Sequence, residues 1–255
     1  MKKFGFGAMR LPLTDSQDKS SIDMEELKKM VDEFMAAGFT YFDTAFPYHE
    51  QLSENALKEA LVDRYDRDSY IFADKMPTVL VKSGDEYPMY FNKQLEKTGV
   101  GYFDYYLMHN MGRDRYFNTD KWGGFDFARR MKEEGKIKKF GFSFHDDAEM
   151  LDQILTEHPE VDFVQLQINY LDWDNKIIQS RACYETARKY NKPIVVMEPV
   201  KGGTLASLPK EAASLLWEYA PDVLPVSYAL RFAASLPGVF MVLSGMSSLE
   251  QVKDN

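Results

Sequence analysis

The chain has 255 residues, 45% of them hydrophobic and 28% charged. With 31 basic against 40 acidic residues its net charge is -9, which disfavours general binding to nucleic acid phosphates or to an anionic lipid surface. Mean hydropathy is -0.41, and the apolar stretches at 194–197 and 239–243 fall far short of a membrane span.

Arg10 interrupts the apolar run that follows Lys2 and Lys3, so no signal peptide is read at the N-terminus. The single Cys183 excludes an intrachain disulfide, and a lone cysteine cannot anchor a thiolate zinc or iron–sulfur site. These features predict a cytoplasmic globular protein. No linker, low-complexity tract or charge block divides the chain, which predicts one domain over 1–255.

Runs rich in β-branched and aromatic residues predict strands over 3–9, 40–45, 69–75, 103–109, 138–143, 162–167, 193–197 and 239–244. Amphipathic patterns between them predict helices. Over 22–37 the residues Met24, Leu27, Val31, Phe34 and Met35 fall near helical spacing, and Gly38 is a stop signal. Further helices are predicted over 53–62, 88–97, 125–134, 148–156, 180–190 and 226–234.

The strand ends recur at intervals of roughly 24 to 34 residues, the length of a strand, a helix and two short loops. Eight such units in a chain of this length predict a closed (β/α)₈ TIM barrel. A doubly wound open sheet would announce itself by G-x-G-x-x-G after an early strand, and Gly5, Gly7 and Ala8 do not supply that spacing.

In such a barrel the interior is packed, and polar residues at the carboxyl ends of strands face the mouth. Asp43, Lys75 and His109 end three successive strands, and Tyr48 follows in the loop FPYHE. A phenol is a weak acid at neutral pH, and a nearby ammonium lowers its pKa. A carboxylate would hold that ammonium, and a neutral imidazole would orient a carbonyl oxygen beside the phenol. The set suits protonation of a carbonyl during reduction by a hydride-donating cofactor.

Blander uses compete at each position. Asp43 or Thr44 in DTA would serve as a helix N-cap. His49 is as near Tyr48 in sequence but is expected at the loop surface, and His158 reads as a loop residue. A metal site from Asp43, His109, His145 and Glu198 would make a barrel hydrolase, although no tight H-x-H or H-x-x-E spacing supports it.

The stretches GFGAMRLPL, AGFTYFDTAFPYHEQLSENALKEAL, IFADK, FDYYLMH, EEGKIKKFGFSFH, FVQLQINY, VVMEPVKGG, YALRFAAS and VLSGMSSLEQVKDN follow one another over nearly the whole chain. Together they resemble the aldo-keto reductase superfamily. The resemblance implies a catalytic tetrad of Asp43, Tyr48, Lys75 and His109, with Tyr48 as general acid and a small-molecule aldehyde or ketone as substrate. It implies NADP or NAD as cofactor. Ser143 and Gln167 would hold the nicotinamide carboxamide, and Met197 would lie against the ring. Lys201 and Gly202 would meet the pyrophosphate. Gly245, Ser247, Ser248, Gln251 and Asn255 would clasp the adenosine end.

Three departures from the family pattern bear on that reading. Phe144 stands where an asparagine usually follows Ser143, and Met197 replaces an aromatic ring, a weaker stacking platform. Gly245 and Gln251 occupy the positions that usually carry cations for a 2′-phosphate, which reduces charge-assisted recognition of NADP. The weakened positions leave open a nucleotide-binding sensor barrel with little turnover. GFSFH, VQLQINYLDWD and VMEPVKGG also resemble a subset whose members often continue into a ferredoxin-like iron–sulfur domain. That likeness predicts a truncated eighth helix at Asn255 and such a partner domain beyond it.

Overall fold

In the computed structural model, which describes residues 2–255, every predicted strand forms. They are β1 (Phe4–Gly7), β2 (Tyr41–Asp43), β3 (Ile71–Met76), β4 (Phe103–Met111), β5 (Ile137–Phe144), β6 (Phe163–Gln167), β7 (Ile194–Met197) and β8 (Val239–Gly245). Each pairs in parallel with its neighbour in sequence, and β1 pairs with β8 to close the barrel. The fold is the expected (β/α)₈ barrel.

The helices are α1 (Met24–Ala36), α2 (Ser53–Leu57), α3 (Glu86–Thr98), α4 (Arg113–Lys121), α5 (Gly124–Glu133), α6 (Ala148–Glu157), α7 (Ser180–Lys189), α8 (Lys210–Tyr219), α9 (Pro225–Ser235) and α10 (Leu249–Asp254). Side-chain caps fix several starts. The Asp23 carboxylate accepts from Glu26 N at 3.0 Å and the Asp147 carboxylate from Met150 N at 2.8 Å, each satisfying an orphan donor. The predicted helix over 53–62 divides, with α2 giving way to a wider turn over Lys58–Val62. Helices α4 and α8 were not predicted. In α4 only Tyr116 and Thr119 are buried, so its sequence carries almost no apolar period.

Two shells of apolar side chains make the core. Tyr41, Ala73, Leu107, Phe163, Val195 and Met241 fill the barrel interior. Phe6, Leu27, Phe34, Phe42, Phe72 and many others fill the space between sheet and helices. Side chains alternate along a strand, so the residue two positions after each inward one also faces inward, nearer the mouth. Asp43, Lys75, His109, Gln165 and Met197 stand in that relation to Tyr41, Ala73, Leu107, Phe163 and Val195. The packed interior is thus a floor, and the polar tier above it is the site. Among the described residues no helix is long and apolar enough to cross a membrane.

Candidate active site

A cavity of about 450 Å³ opens at the carboxyl ends of the strands. Asp43, Tyr48, Lys75 and His109 all line it, together with Ser143, Gln165, Met197 and Gly245. Four residues that lie 66 positions apart in the chain at their extremes therefore meet in one place, as the strand-end argument expects.

The Lys75 side chain is the centre of the set. Its ammonium donates to Asp43 Oδ1 at 2.5 Å and to the Thr44 carbonyl at 2.7 Å, and both Lys75 and Asp43 are buried. Asp43 therefore serves the lysine rather than capping a helix. The Thr44 hydroxyl is likewise taken, at 2.8 Å from Ser53 Oγ. Behind β3, Gln94 Nε2 donates to the Lys75 carbonyl at 3.0 Å and also to Glu54 Oε1 at 3.0 Å. Gln94 Oε1 in turn accepts from the Tyr106 hydroxyl at 2.5 Å. This buried network fixes the strand that carries Lys75.

Lys75 Nζ lies 5.1 Å from the centre of the Tyr48 ring, and the His109 ring meets that same ring edge to face at 5.8 Å between centroids. Burial pushes the Tyr48 phenol up, and the Lys75 charge offsets this only in part. The ammonium thus acts in the expected direction without prevailing, and Tyr48 keeps its proton at neutral pH. Burial also disfavours the Lys75 ammonium, but the charge of Asp43 and its hydrogen bond lead the interactions that outweigh it and hold its pKa above the ordinary value. Burial and the neighbouring Lys75, His145 and Arg115 lower His109 to about 3, so its imidazole is neutral.

A bulge in β4 helps to place that imidazole. The pairing of β4 with β5 shifts register between Met108 and Met111, and Asn110 adopts φ 57°. The Thr78 hydroxyl donates to the His109 carbonyl at 2.5 Å, and Asn110 N donates to Ser143 Oγ at 2.7 Å. Ser143 is therefore both a lining residue and a tie for the bulge.

A second cavity, of about 440 Å³, adjoins the first along β7 and β8. Gly202, Gly245, Ser247, Gln251 and Asn255 line it, and Arg10, Glu198, Leu243 and Gly245 line both. The two form one long groove. Asn255 Nδ2 donates to Ser244 Oγ at 3.1 Å, drawing the end of α10 onto β8.

Three of the predicted ligands lie elsewhere. Gln167 lines a separate cavity on the side of β5 and α7; the glutamine in the tetrad cavity is Gln165, the register partner of Ser143. Both share one face of β6, so period alone could not choose, but Gln165 stands directly above the inward Phe163. Lys201 is paired with the buried Asp172 carboxylate, which Asn169 also holds at 2.9 Å, so its ammonium is engaged away from the groove. Ser248 caps α10, its Oγ accepting from Gln251 N at 3.2 Å.

Other residues were missed or misplaced. His49 is buried, accepting from Leu11 N through Nε2 at 3.0 Å while Nδ1 faces the Lys19 carbonyl at 3.0 Å. It ties the loop after β1 to the Tyr48 turn. Asp43, His109, His145 and Glu198 all line the tetrad cavity, but among the described residues no three His, Cys, Asp or Glu side chains come together as metal ligands.

A barrel closed in this order, with a polar tier at its carboxyl mouth, defines the (β/α)₈ enzyme class. The model of the Aldo/keto reductase family matches residues 3–255, and the chain belongs to that family of oxidoreductases. No curated protein matches it in sequence. Among solved structures, an aldo-keto reductase from Bacillus halodurans in its holo form is 23% identical, with a TM-score of 0.74 over 99% of this chain and 85% of that one. An aldo-keto reductase from Klebsiella pneumoniae in complex with NADPH is 17% identical, with a TM-score of 0.74 over 100% of this chain and 84% of that one. Another from Klebsiella pneumoniae, in complex with NADP and acetate, is 20% identical, with a TM-score of 0.74 over 100% and 84%. At these identities the likeness concerns the fold.

Proposed function

We propose that this chain interconverts an aldehyde or ketone and the corresponding alcohol, with Tyr48 as general acid and NADP or NAD as cofactor. The observation that carries the reading is the meeting of protonated Tyr48, charged Lys75 and neutral His109 in one cavity. Tyr48 would give the proton of its hydroxyl to the carbonyl oxygen. Lys75 would stabilise the phenolate left behind, and Asp43 would keep the ammonium in place. His109, being neutral, would hydrogen-bond the carbonyl oxygen and orient it without repelling Lys75.

The groove suits a dinucleotide. Gln165, the register partner of Ser143, lines the tetrad cavity with its Oε1 buried and without a hydrogen-bond partner, an acceptor still to be satisfied. Two structurally similar reductases are in complex with NADPH or NADP. Ser143 and Gln165 would hold the carboxamide, Met197 would lie by the ring, and Gly245, Ser247, Gln251 and Asn255 would line the adenosine end. A reduced nicotinamide supplies the hydride when bound.

The test is oxidation of NADH or NADPH, followed at the nicotinamide absorbance, on adding a panel of aldehydes and ketones. Turnover of some carbonyl supports the reading. Tight dinucleotide binding without turnover of any would favour the sensor barrel that Phe144 and Met197 suggest. A cytoplasmic location belongs to this reading through the single cysteine, Cys183. The ferredoxin-like partner domain that the subset resemblance implies would lie outside residues 1–255.

A further inference from the structure

Three buried carboxyl groups, those of Asp43, Glu54 and Asp74, gather about β3, where the ammonium groups of Lys75 and Lys97 pair with two of them. Asp43 has Lys75 and Glu54 has Lys97, so Asp74 is in no ion pair among the described residues. Both Asp74 and Glu54 are fully buried. A carboxylate held away from water without a cation is costly, and such a group keeps its proton instead.

Alternation along β3 turns Lys75 towards the mouth and Asp74 towards the helix layer, where Glu54 of α2 meets it. Asp74 Oδ1 accepts from Lys75 N at 2.8 Å, while Oδ2 is buried without a hydrogen-bond partner. The Glu54 oxygens are already accepting, Oε1 from Gln94 Nε2 at 3.0 Å and Oε2 from the Lys97 ammonium. Both bonds need an acceptor, so a proton between the two carboxyl groups belongs on Asp74 Oδ2. Tyr106 of β4 donates to Gln94 Oε1 at 2.5 Å and leaves Asp74 to Glu54. Burial, and after it the Glu54 charge, push the Asp74 carboxyl well above the usual carboxylate range.

We propose that Asp74 is a positioning residue for Lys75, a carboxylic acid that donates from Oδ2 to the Glu54 carboxylate while Oδ1 receives the Lys75 N–H. The catalytic weight of Lys75 rests on the reductase reading above. Gln94 makes the matching bridge from α3, donating to the Lys75 carbonyl and to Glu54. Both peptide groups that flank the Lys75 side chain are thus tied to one buried carboxylate. A neutral Asp74 also leaves the Lys75 charge opposed by Asp43 alone. An ionised Asp74 would add a second negative charge beside Lys75 and Tyr48 and would oppose the phenolate.

Infrared difference spectra of the whole chain at neutral pH, wild type against Asp74→Asn, test the proton. A carboxylic acid C=O stretch that shifts in heavy water is expected in the wild type and absent from the variant; a wild type without that band overturns the proposal. Single-turnover reduction of a carbonyl tests the positioning. Asp74→Ala breaks the bridge and should lower the rate by about tenfold or more with NADH and NADPH affinity unchanged, because a displaced reacting group costs rate rather than binding. Asp74→Asn keeps one acceptor and supplies an N–H donor in the same shape, and should restore the rate to within about twofold of the wild type. A wild-type rate in Asp74→Ala overturns the proposal. So does an Asp74→Asn rate as low as that of Asp74→Ala, which would mean that the site needs a negative charge at 74. The infrared measurement uses only the isosteric variant and does not depend on the folding of Asp74→Ala. A wild type that shows the acid band but reduces no carbonyl overturns the reductase reading and leaves the proton on Asp74.

Discussion

The ammonium of Lys75 and the carboxylate of Asp43 are joined at 2.5 Å in a site where both side chains are buried. Such a pair gains little over an apolar one in stability, because both charges have been taken out of water. Its value here is in position, since it sets a fixed positive charge beside the Tyr48 ring.

Removing one partner should therefore be far worse than removing both. Lys75→Met leaves the Asp43 carboxylate buried and unpaired, at an expected cost of about 3–5 kcal/mol. Urea unfolding would measure it. The double substitution Lys75→Met with Asp43→Leu should recover most of that stability and none of the carbonyl reduction. Recovery of activity in the double variant would mean that the charge at position 75 is dispensable.

The two rings beside Lys75 predict how activity and stability vary with pH. The Tyr48 phenol is held above its ordinary value by burial, so reduction should stay level through neutrality and fall only above the ordinary phenol range. His109, at about 3, should contribute no inflection near 6.5. Its effect on stability has a definite sign. The unfolded imidazole takes up a proton below about 6.5 while the folded one stays neutral down to about 3, so the unfolded state binds more protons in that window. Stability is full above 6.5 and declines on acidification, by up to about 1.4 kcal/mol per pH unit from this group. Melting curves from pH 7 to 4 should lose that part of their slope in His109→Phe; an unchanged slope would contradict the assignment.

His49 is a structural clamp and should behave as one. His49→Ala leaves the buried Leu11 N–H without its acceptor, which is expected to cost about 1–3 kcal/mol in urea unfolding. An unchanged midpoint would show that the loop after β1 does not depend on that bond.

Lys201 is held in an ion pair beside the groove. Because its ammonium is bound to Asp172, Lys201→Met should lower the thermal midpoint while changing dinucleotide affinity less than twofold. A loss of affinity without a loss of stability would return Lys201 to the pyrophosphate.

How much of this was legible in the sequence follows from which signals are local. The eight strands could be read because each is a short β-branched and aromatic run that recurs at a steady interval, and that interval is itself a statement about βα units. Asp43, Lys75 and His109 could be read because a strand end is a position along the chain. Gln165 and Gln167 could not be separated, since both lie on one strand face and only the height of the barrel floor decides between them. The engagement of Lys201 by Asp172 joins residues 29 apart, and nothing in the VKGG loop signals it. His49 was misplaced for a similar reason. Its partners, Leu11 and Lys19, belong to a loop whose path over the Tyr48 turn is set by the closed barrel.

The central claim is that Tyr48 delivers the proton. Tyr48→Phe removes one hydroxyl from a ring that keeps its place between Lys75 and His109. Single-turnover reduction of an aldehyde substrate, measured alongside NADH and NADPH affinity, separates chemistry from binding. The account predicts a rate lower by about 10²–10⁴-fold with both dissociation constants essentially unchanged. A Tyr48→Phe enzyme that reduces the aldehyde at close to the wild-type rate would contradict it.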